Sequence, residues 1–142
     1  MVGLVVVTHG NAADSLLEAT AGILGPLPAA EAISVTMQET FDDTLERISR
    51  ASERVDSGAG LVLLVDLQGS SPYQACMAML DGSRAAEVVC GVNLPMLLKL
   101  ATVDRRELRP PELAQLLRDV GKRSIRLGSE LTGRVNLEDI GR

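Results

Sequence analysis

The chain has almost no aromatic residues and no excess of basic ones. It contains one Phe, one Tyr and no Trp in 142 residues. Proteins that bind single-stranded nucleic acid stack bases on several aromatic rings, and this chain cannot build such a platform. Its 14 Lys and Arg are outnumbered by 19 Asp and Glu, which gives a formal net charge of -5 and no cationic cluster to neutralise phosphates. The composition therefore argues against nucleic acid as a partner.

Long apolar runs are also absent, and potential metal ligands are scarce. Apolar runs such as residues 4–7 and 61–65 fall far short of the roughly 20 residues that span a bilayer. The N-terminal residues lack the charged segment and cleavage site of a signal peptide, so we expect a cytoplasmic protein with no direct membrane insertion. Cys76 and Cys90 are too few for a disulfide framework, and we expect both to be buried and reduced. One histidine and two separated cysteines match no metal-ligand spacing, so no metal site is expected.

The hydrophobic pattern alternates between strand-like and helix-like segments. Residues 2–7 and 61–65 are aliphatic runs typical of strands that are covered on both faces of a parallel sheet. A shorter strand at residues 33–37 alternates with polar neighbours and is expected near a sheet edge. A fourth strand is predicted at residues 87–92, and the helices at residues 11–24, 40–55, 71–80, 96–102 and 110–121. This order predicts an α/β fold, an open three-layer sandwich with a mostly parallel four-stranded sheet.

The C-terminal segment is the least regular part of the sequence. We expect residues 1–127 to form one domain, since a chain of this length buries one sizeable core. Residues 124–127 form a short strand-like run, and residues 128–142 are polar and contain glycine. This tail could form an extra strand, an arm or a disordered segment.

Polar residues follow three of the predicted strands, at the edge where open α/β sheets bind ligands. They are His9, the only histidine, together with Asp66 and Asn93. His9 could be an incidental surface residue, and Asp66 could simply cap its own loop. A carboxylate that accepts the Nδ1 proton of His9 would instead leave the Nε2 lone pair exposed as a nucleophile. These residue types therefore indicate a candidate site that contains an activated imidazole.

The loop after the third strand indicates what such an imidazole could attack. Ser71 is the predicted N-cap of the next helix and Pro72 its first residue. Free N–H groups at such a helix start favour an anion, although the same residues would serve equally well as a plain cap. Together with His9 and Asp66, the loop predicts phosphoryl transfer through a phosphohistidine. A serine-hydrolase triad is a poorer interpretation because the G-x-S-x-G pattern is absent.

Three segments carry a resemblance to a known family. The segment GLVVVTHG at residues 3–10, LVDLQGSSP at residues 64–72 and GVNLPML at residues 91–97 occur in that order. They resemble the motifs of the enzyme IIA domain of the mannose (mannose/fructose/sorbose) class of the bacterial phosphoenolpyruvate-dependent sugar phosphotransferase system. The resemblance covers roughly residues 1–125. Gln74 replaces the usual Asn, and Ser70 replaces the second loop glycine, which would cost about 1–3 kcal/mol if that glycine needed a positive φ.

The resemblance implies a role for each candidate site residue. His9 is the phosphorylated nucleophile, and Asp66 orients it. Gly69, Ser70 and Ser71 bind the phosphoryl oxygens, and three residues form the rim of the site, namely Thr8, Gly10 and Asn93. No metal or organic cofactor is implied.

The family also implies partners and an assembly. Its members accept a phosphoryl group from phospho-HPr, a histidine phosphocarrier, and pass it to a IIB component, which here would be a separate chain. The implied homodimer exchanges a C-terminal strand across its interface, which would give residues 124–127 a purpose. Three alternatives stay open: a regulatory phospho-acceptor, a phosphoryl donor subunit of dihydroxyacetone kinase, and a dimerisation module without activity.

Overall fold

The fold is built on a parallel sheet at the centre of the chain. A computed structural model describes residues 1–132. Its strands are β1 (Gly3–His9), β2 (Ala30–Val35), β3 (Leu61–Val65) and β4 (Ala86–Cys90). All neighbouring strands pair in parallel, in the order β2-β1-β3-β4. The predicted α/β fold with a four-stranded sheet is confirmed, and β2 lies at a sheet edge as its alternating pattern predicted.

Five helices lie near the predicted positions, and a sixth lies in the tail, where an extra strand, an arm or a disordered segment was expected. They are α1 (Ala12–Leu24), α2 (Phe41–Val55), α3 (Ser71–Met77), α4 (Leu94–Lys99), α5 (Pro110–Arg123) and α6 (Gly128–Thr132), with a 3-10 turn at Leu100–Thr102. The start of α2 shows why the sequence folds this way locally, because the Thr40 side chain accepts the Asp43 N–H at 3.1 Å. Within residues 1–132, none of the helices has both the length and the apolar character to cross a membrane.

The helices cover both faces of the sheet and form three layers. Successive side chains of a strand point to opposite faces, so β1 contributes to two separate cores. Leu4 and Val6 pack with α1, α4 and α5, whereas Val5 and Val7 pack with α2 and α3. Burying an aliphatic side chain of this size contributes roughly 1.5–3 kcal/mol, so an almost entirely aliphatic core can hold the sheet together.

The strand register determines which residues meet at the carboxyl edge. Val7 of β1 pairs with Val65, the last residue of β3. His9, which ends β1, and Asp66, which follows β3, are therefore neighbours although they are 57 residues apart in sequence. The sheet itself thus brings together the two residues that the sequence analysis singled out.

Residues 124–127, the strand-like run of the sequence analysis, form no strand within the described chain. Ser124 caps α5, and residues 125–127 pair with no strand before α6 begins. Ile125 is 80% exposed, as an apolar strand residue without a partner would be. The exchanged strand therefore stays a prediction for an assembly of two chains. Of the predicted tail, residues 133–142 lie outside the described residues.

Gly60, at the start of β3, offers a test of how tightly the sheet is packed. Its φ is +83°, and an added Cβ would overlap the carbonyl oxygen of Ala85. Gly82 has nearly the same φ, +84°, but no atom lies within 4 Å of the corresponding Cβ position. We expect Gly82→Ala to lower the free energy of unfolding by about 1–2 kcal/mol and Gly60→Ala by more than about 3 kcal/mol, because overpacking adds to the backbone strain. Urea unfolding monitored by circular dichroism measures both, and equal losses would contradict the packing described for β3.

Candidate active site

The centre of the site is a contact between His9 and Asp66. Asp66 Oδ2 accepts the backbone N–H of His9 at 2.9 Å and lies 2.9 Å from His9 Nδ1. An ionised carboxylate only accepts hydrogen bonds, so Nδ1 carries the proton in this contact and Nε2 of the neutral ring keeps its lone pair. The His9 side chain is 47% exposed, which leaves the ring accessible to another molecule.

The ionisation of Asp66 depends on His9. Burial by itself raises the pKa of Asp66, but the backbone N–H, the ring hydrogen bond and the charge of His9 together lower it below its ordinary value. The other carboxylate oxygen, Oδ1, is buried and accepts no hydrogen bond from residues 1–132. The negative charge of Asp66 is therefore compensated mainly by His9, and it stabilises positive charge that develops on the ring.

The loop after β3 is held by a serine other than the one predicted. Ser70 has φ -79° and ψ 169°, and its Oγ accepts the Tyr73 N–H at 3.3 Å and donates to the Leu67 carbonyl at 2.7 Å. The prediction that Ser71 is the N-cap is wrong. Ser70 is the N-cap, and Ser71 is the first residue of α3. The positive φ in this loop, +82°, belongs to Gly69, so Ser70 occupies the position of the family's second glycine without strain.

Ser71 and Gly69 carry hydrogen-bond donors that have no acceptor in the described part of the chain. Their backbone N–H groups donate to no acceptor within the described part of the chain. Ser71 is exposed, its hydroxyl makes no hydrogen bond there, and the residue lines the same cavity as His9. By contrast, the Ser70 hydroxyl is committed to the helix cap. The loop thus has two backbone donors and one hydroxyl without an acceptor in the described chain, and those of Ser71 lie at the cavity that His9 lines.

Thr8 and Asn93, which were predicted at the rim, hold secondary-structure elements together. Thr8 is fully buried, and its Oγ1 accepts the N–H of Ala13 at 2.6 Å, near the start of α1. Asn93 Oδ1 caps α4, and its Nδ2 donates to the carbonyl of Gly121 in α5 at 3.2 Å. Neither residue lines the cavity beside His9, whereas Gly10 does. Their side chains therefore support the site rather than face a ligand.

The structure adds a cavity that the sequence analysis did not anticipate. It has a volume of about 250 Å³ and lies beside His9, between the β2–α2 loop and the start of α3. Met37 is 94% exposed and Phe41 45% exposed at its edge, so apolar surface surrounds the ring. Met37 was expected to continue the second strand, but β2 ends at Val35. The sequence does contain an indication of this part of the site, because the loop follows β2 and therefore lies at the same carboxyl edge of the sheet as His9.

A second carboxylate lines this cavity but is neutralised. Glu39 Oε1 lies 2.5 Å from Arg47 Nη1, and Glu39 Oε2 accepts the hydroxyl of Thr44 at 2.7 Å. Only 11% of the Glu39 side chain is exposed. Because Arg47 balances this charge, the cavity can accept an anionic group beside His9 without an unpaired carboxylate repelling it.

The two cysteines lie near the site without contributing a nucleophile. Burial, helped by the neighbouring Cys90 and Asp66, raises the pKa of Cys76 to about 12. Cys90 is half-buried rather than buried as predicted, and burial raises its pKa as well. Both thiols are free and stay protonated at neutral pH, so they are poor nucleophiles. Among His9, Cys76 and Cys90, the imidazole of His9 is therefore the stronger candidate nucleophile.

The fold and the site define a class: a parallel α/β protein with an aspartate-held histidine at the carboxyl edge of its sheet. The family profile described as "PTS system fructose IIA component" matches residues 3–115. The chain belongs to this family, the IIA components of the mannose class of phosphotransferase systems. The family suggested by the three sequence motifs is thereby confirmed.

Individual relatives agree with this assignment. The chain is 27% identical to the mannose-specific EIIAB component of Escherichia coli K12 over 125 residues. The aligned segment covers 88% of this chain and 39% of that protein. It is 32% identical over 98 residues to the sorbose-specific EIIA component of Lacticaseibacillus casei, covering 69% and 70% of the two chains. The solved mannose/sorbose-specific IIA subunit of Enterococcus faecalis superposes with a TM-score of 0.76 at 26% identity, covering 89% and 93%. The chain spans about two fifths of its mannose-specific relative.

The coupling of the two site residues predicts a change in the pKa of Asp66. The His9→Ala substitution removes the ring hydrogen bond and the ring charge but keeps the backbone N–H. Because two of the effects that lower the pKa of Asp66 are then lost and burial still raises it, we expect this pKa to rise. In the wild type the pKa of Asp66 is lower in the folded state than in the unfolded state. Ionised Asp66 therefore stabilises the fold above its unfolded pKa, and this contribution is lost as the pH falls through the folded pKa.

Carboxyl carbon NMR titration measures the change in the pKa of Asp66 between the wild type and His9→Ala. Asp81, whose pKa is lowered by Ser83, serves as the unaffected control, and an unchanged Asp66 would exclude coupling through the ring.

Proposed function

We propose that this chain is a cytoplasmic phosphoryl carrier of a sugar phosphotransferase system. It accepts a phosphoryl group from phospho-HPr on His9 and passes it to a IIB component. The observation that carries the proposal is the 2.9 Å contact between Asp66 Oδ2 and His9 Nδ1, in a chain that belongs to the IIA family. This contact prepares the ring for attack through its other nitrogen.

The transfer needs no group beyond the two proteins. The Nε2 lone pair of His9 forms the new P–N bond, while the P–N bond of the donor phosphohistidine breaks and its electron pair returns to the donor ring. The His9 ring keeps its Nδ1 proton and becomes positively charged, and Asp66 stabilises that charge. The onward step is the same substitution in reverse, with a nucleophilic side chain of the IIB component as the acceptor. No metal or organic cofactor enters the proposal.

The loop after β3 supplies the second half of the proposed site. A phosphoryl group on Nε2 carries negative oxygens, which need donors that are already in place. The N–H groups of Gly69 and Ser71 and the Ser71 hydroxyl are free for this purpose in the described chain. Ser70 acts by holding the loop. The apolar surface of Met37 and Phe41 around the cavity would contact the partner proteins.

The proposed carrier acts as a homodimer. Exposed Ile125 and Leu127 alternate with Arg126 in a run that finds no strand partner within the described part of one chain. Such a pattern suits a strand added to the sheet of a second copy. Residues 124–127 would then extend the sheet across the interface.

Phosphorylation of the intact protein tests the function directly. After incubation with phosphoenolpyruvate, enzyme I and HPr, the wild type is expected to gain one acid-labile phosphoryl group by intact mass, and His9→Ala none. Asp66→Asn should slow the reaction by about 10²–10⁴-fold, because the amide cannot stabilise the charged ring as a carboxylate does.

Three results of that experiment bear on different parts of the proposal. No mass gain while HPr becomes phosphorylated would exclude the carrier function, and unchanged kinetics in Asp66→Asn would remove Asp66 from the mechanism. Phospho-His9 that no IIB component discharges, but that changes binding to another protein, would favour the regulatory alternative. Circular dichroism of each variant confirms that the fold is intact.

Substitution of the two loop serines should affect different properties, the rate of phosphorylation for Ser71 and the stability of the fold for Ser70. Ser71→Ala removes a free hydroxyl and is expected to slow phosphorylation about tenfold to a hundredfold, the usual range for a hydrogen bond to a charged group, without changing the melting temperature. Ser70→Ala removes the N-cap and should lower stability by about 1 kcal/mol. Stopped reactions analysed by mass and thermal unfolding measure the two effects. A rate loss confined to Ser70→Ala would contradict the assignment of Ser71 as the phosphoryl ligand.

A further inference from the structure

A second cavity lies at the opposite end of the sheet from His9. It has a volume of about 450 Å³ and is bounded by the 3-10 turn and by the loops before β1 and β2. His9 is the last residue of β1 and this cavity adjoins the first, so the length of the strand separates the two sites by about 20 Å. Arg105 lines the cavity although the residue is only 6% exposed.

The buried guanidinium of Arg105 contacts only neutral groups. Its Nη1 donates to the carbonyls of Val2 at 2.9 Å and Ala29 at 3.4 Å, and its Nη2 donates to the carbonyl of Pro28. Its Nε–H donates to no group within residues 1–132. No carboxylate of those residues lies within salt-bridge distance of Arg105, whereas Arg47 pairs with Glu39 and Arg54 with Glu31.

Carbonyl groups satisfy hydrogen bonds but do not cancel a full charge. Burying a charge without a counter-ion is costly, and natural proteins normally pair it. Burial lowers the pKa of Arg105, and no acidic neighbour counteracts the effect. The adjacent Asp104 cannot serve as the counter-ion, because Arg106 holds both of its oxygens, at 3.0 and 2.9 Å. The charge of Arg105 is therefore not paired with a carboxylate of residues 1–132, and the N-terminal ammonium of Met1, which also lines the cavity, adds to the positive charge there.

The remaining walls of the cavity are mostly apolar. They are contributed by Leu27, Pro28, Leu100 and Val103. Apolar walls around one or two fixed polar groups are typical of small-molecule sites. The walls favour a ligand with an apolar body. The guanidinium favours an anionic end that accepts from its Nε–H and its second Nη2 hydrogen, the two donors without an acceptor within residues 1–132.

We propose that the cavity around Arg105 binds a small organic anion, a carboxylate carried on an apolar body. The carboxylate would pair with the guanidinium, which contacts only carbonyl groups within residues 1–132, and the apolar body would cover the walls. An inorganic anion would leave those walls uncovered. The site is separate from His9 and does not depend on the proposed carrier function, so either can fail alone.

Titration of the full chain with simple probes tests the proposal. Benzoate supplies a carboxylate on an apolar ring, benzamide is its neutral counterpart, and inorganic phosphate tests for a more highly charged anion. In two-dimensional proton–nitrogen NMR spectra we expect benzoate to give saturable shifts at residues 100–106, with His9 and its surroundings unmoved. Benzamide should give none at the same concentrations, and phosphate should bind more weakly than benzoate.

Three variants connect the shifts to this cavity. Arg105→Gln removes the charge, and Ala101→Phe fills the cavity from an exposed position on its wall without touching the guanidinium. Both should weaken benzoate binding about tenfold or more, the usual loss for a charge-assisted hydrogen bond. Arg109→Gln is the matched control, since Arg109 is an exposed arginine near the same end of the sheet that does not line the cavity.

Several results would overturn the assignment. They are the absence of saturable shifts with benzoate, equal binding of benzamide, tighter binding of phosphate, or full binding by Ala101→Phe. Any of them would leave Arg105 as an anchor that ties the start of β1 to the loop before β2. If Arg105→Gln does not fold, Ala101→Phe decides the question alone.

Discussion

The candidate active site depends on one carboxylate oxygen, Asp66 Oδ2, which accepts two hydrogen bonds from the same residue. One comes from the His9 backbone and the other from its ring, both at 2.9 Å. The first fixes the end of β1 against the end of β3, and the second fixes the ring and its protonated nitrogen. Hydrogen bonds to a charged group contribute about 1.5–3 kcal/mol each, more than most single contacts in a domain of this size. Strand position, ring orientation and the charge of the site are thus set together.

Around this contact, the polar groups that hold the structure together differ from those that remain free for the proposed phosphoryl group. Thr8, Ser70 and Asn93 use their polar atoms to begin or join helices, and they are partly or fully buried. Ser71, whose donors remain free in the described chain, lines the same cavity as His9, and Gly69 lies two residues before it in the loop. An arrangement of this kind holds the reacting groups in place before a ligand arrives, which lowers the cost of organising them during the reaction.

Much of this could be predicted from the sequence, and the reason is geometric. Aliphatic runs such as residues 61–65 indicate buried parallel strands, and the carboxyl ends of such strands share one edge, so His9 and Asp66 had to be neighbours. The choice between Ser70 and Ser71 as the N-cap could not be made this way. Adjacent serines have the same capping propensity, and only the position of the Tyr73 N–H relative to each hydroxyl decides between them.

Other features depend on distant contacts that a local pattern does not contain. The bond from Asn93 to Gly121 joins residues 28 apart, and Arg105 reaches carbonyls more than 70 residues away. The cavity beside His9 was missed because the second strand was extended to Met37, which removed the β2–α2 loop from the edge of the site. The strand expected at residues 124–127 needs a second chain, so neither the pattern nor a single chain settles it.

The central claim is that Asp66 holds the Nδ1 proton and thereby directs phosphorylation to the other ring nitrogen. The most direct measurement is long-range proton–nitrogen NMR of the phosphorylated protein, with nitrogen-15 in the His9 ring. A phosphoryl group bonded to Nε2, with Nδ1 still protonated, is the expected result. A phosphoryl group on Nδ1 would contradict the claim, because that nitrogen cannot both form the P–N bond and donate its proton to Asp66.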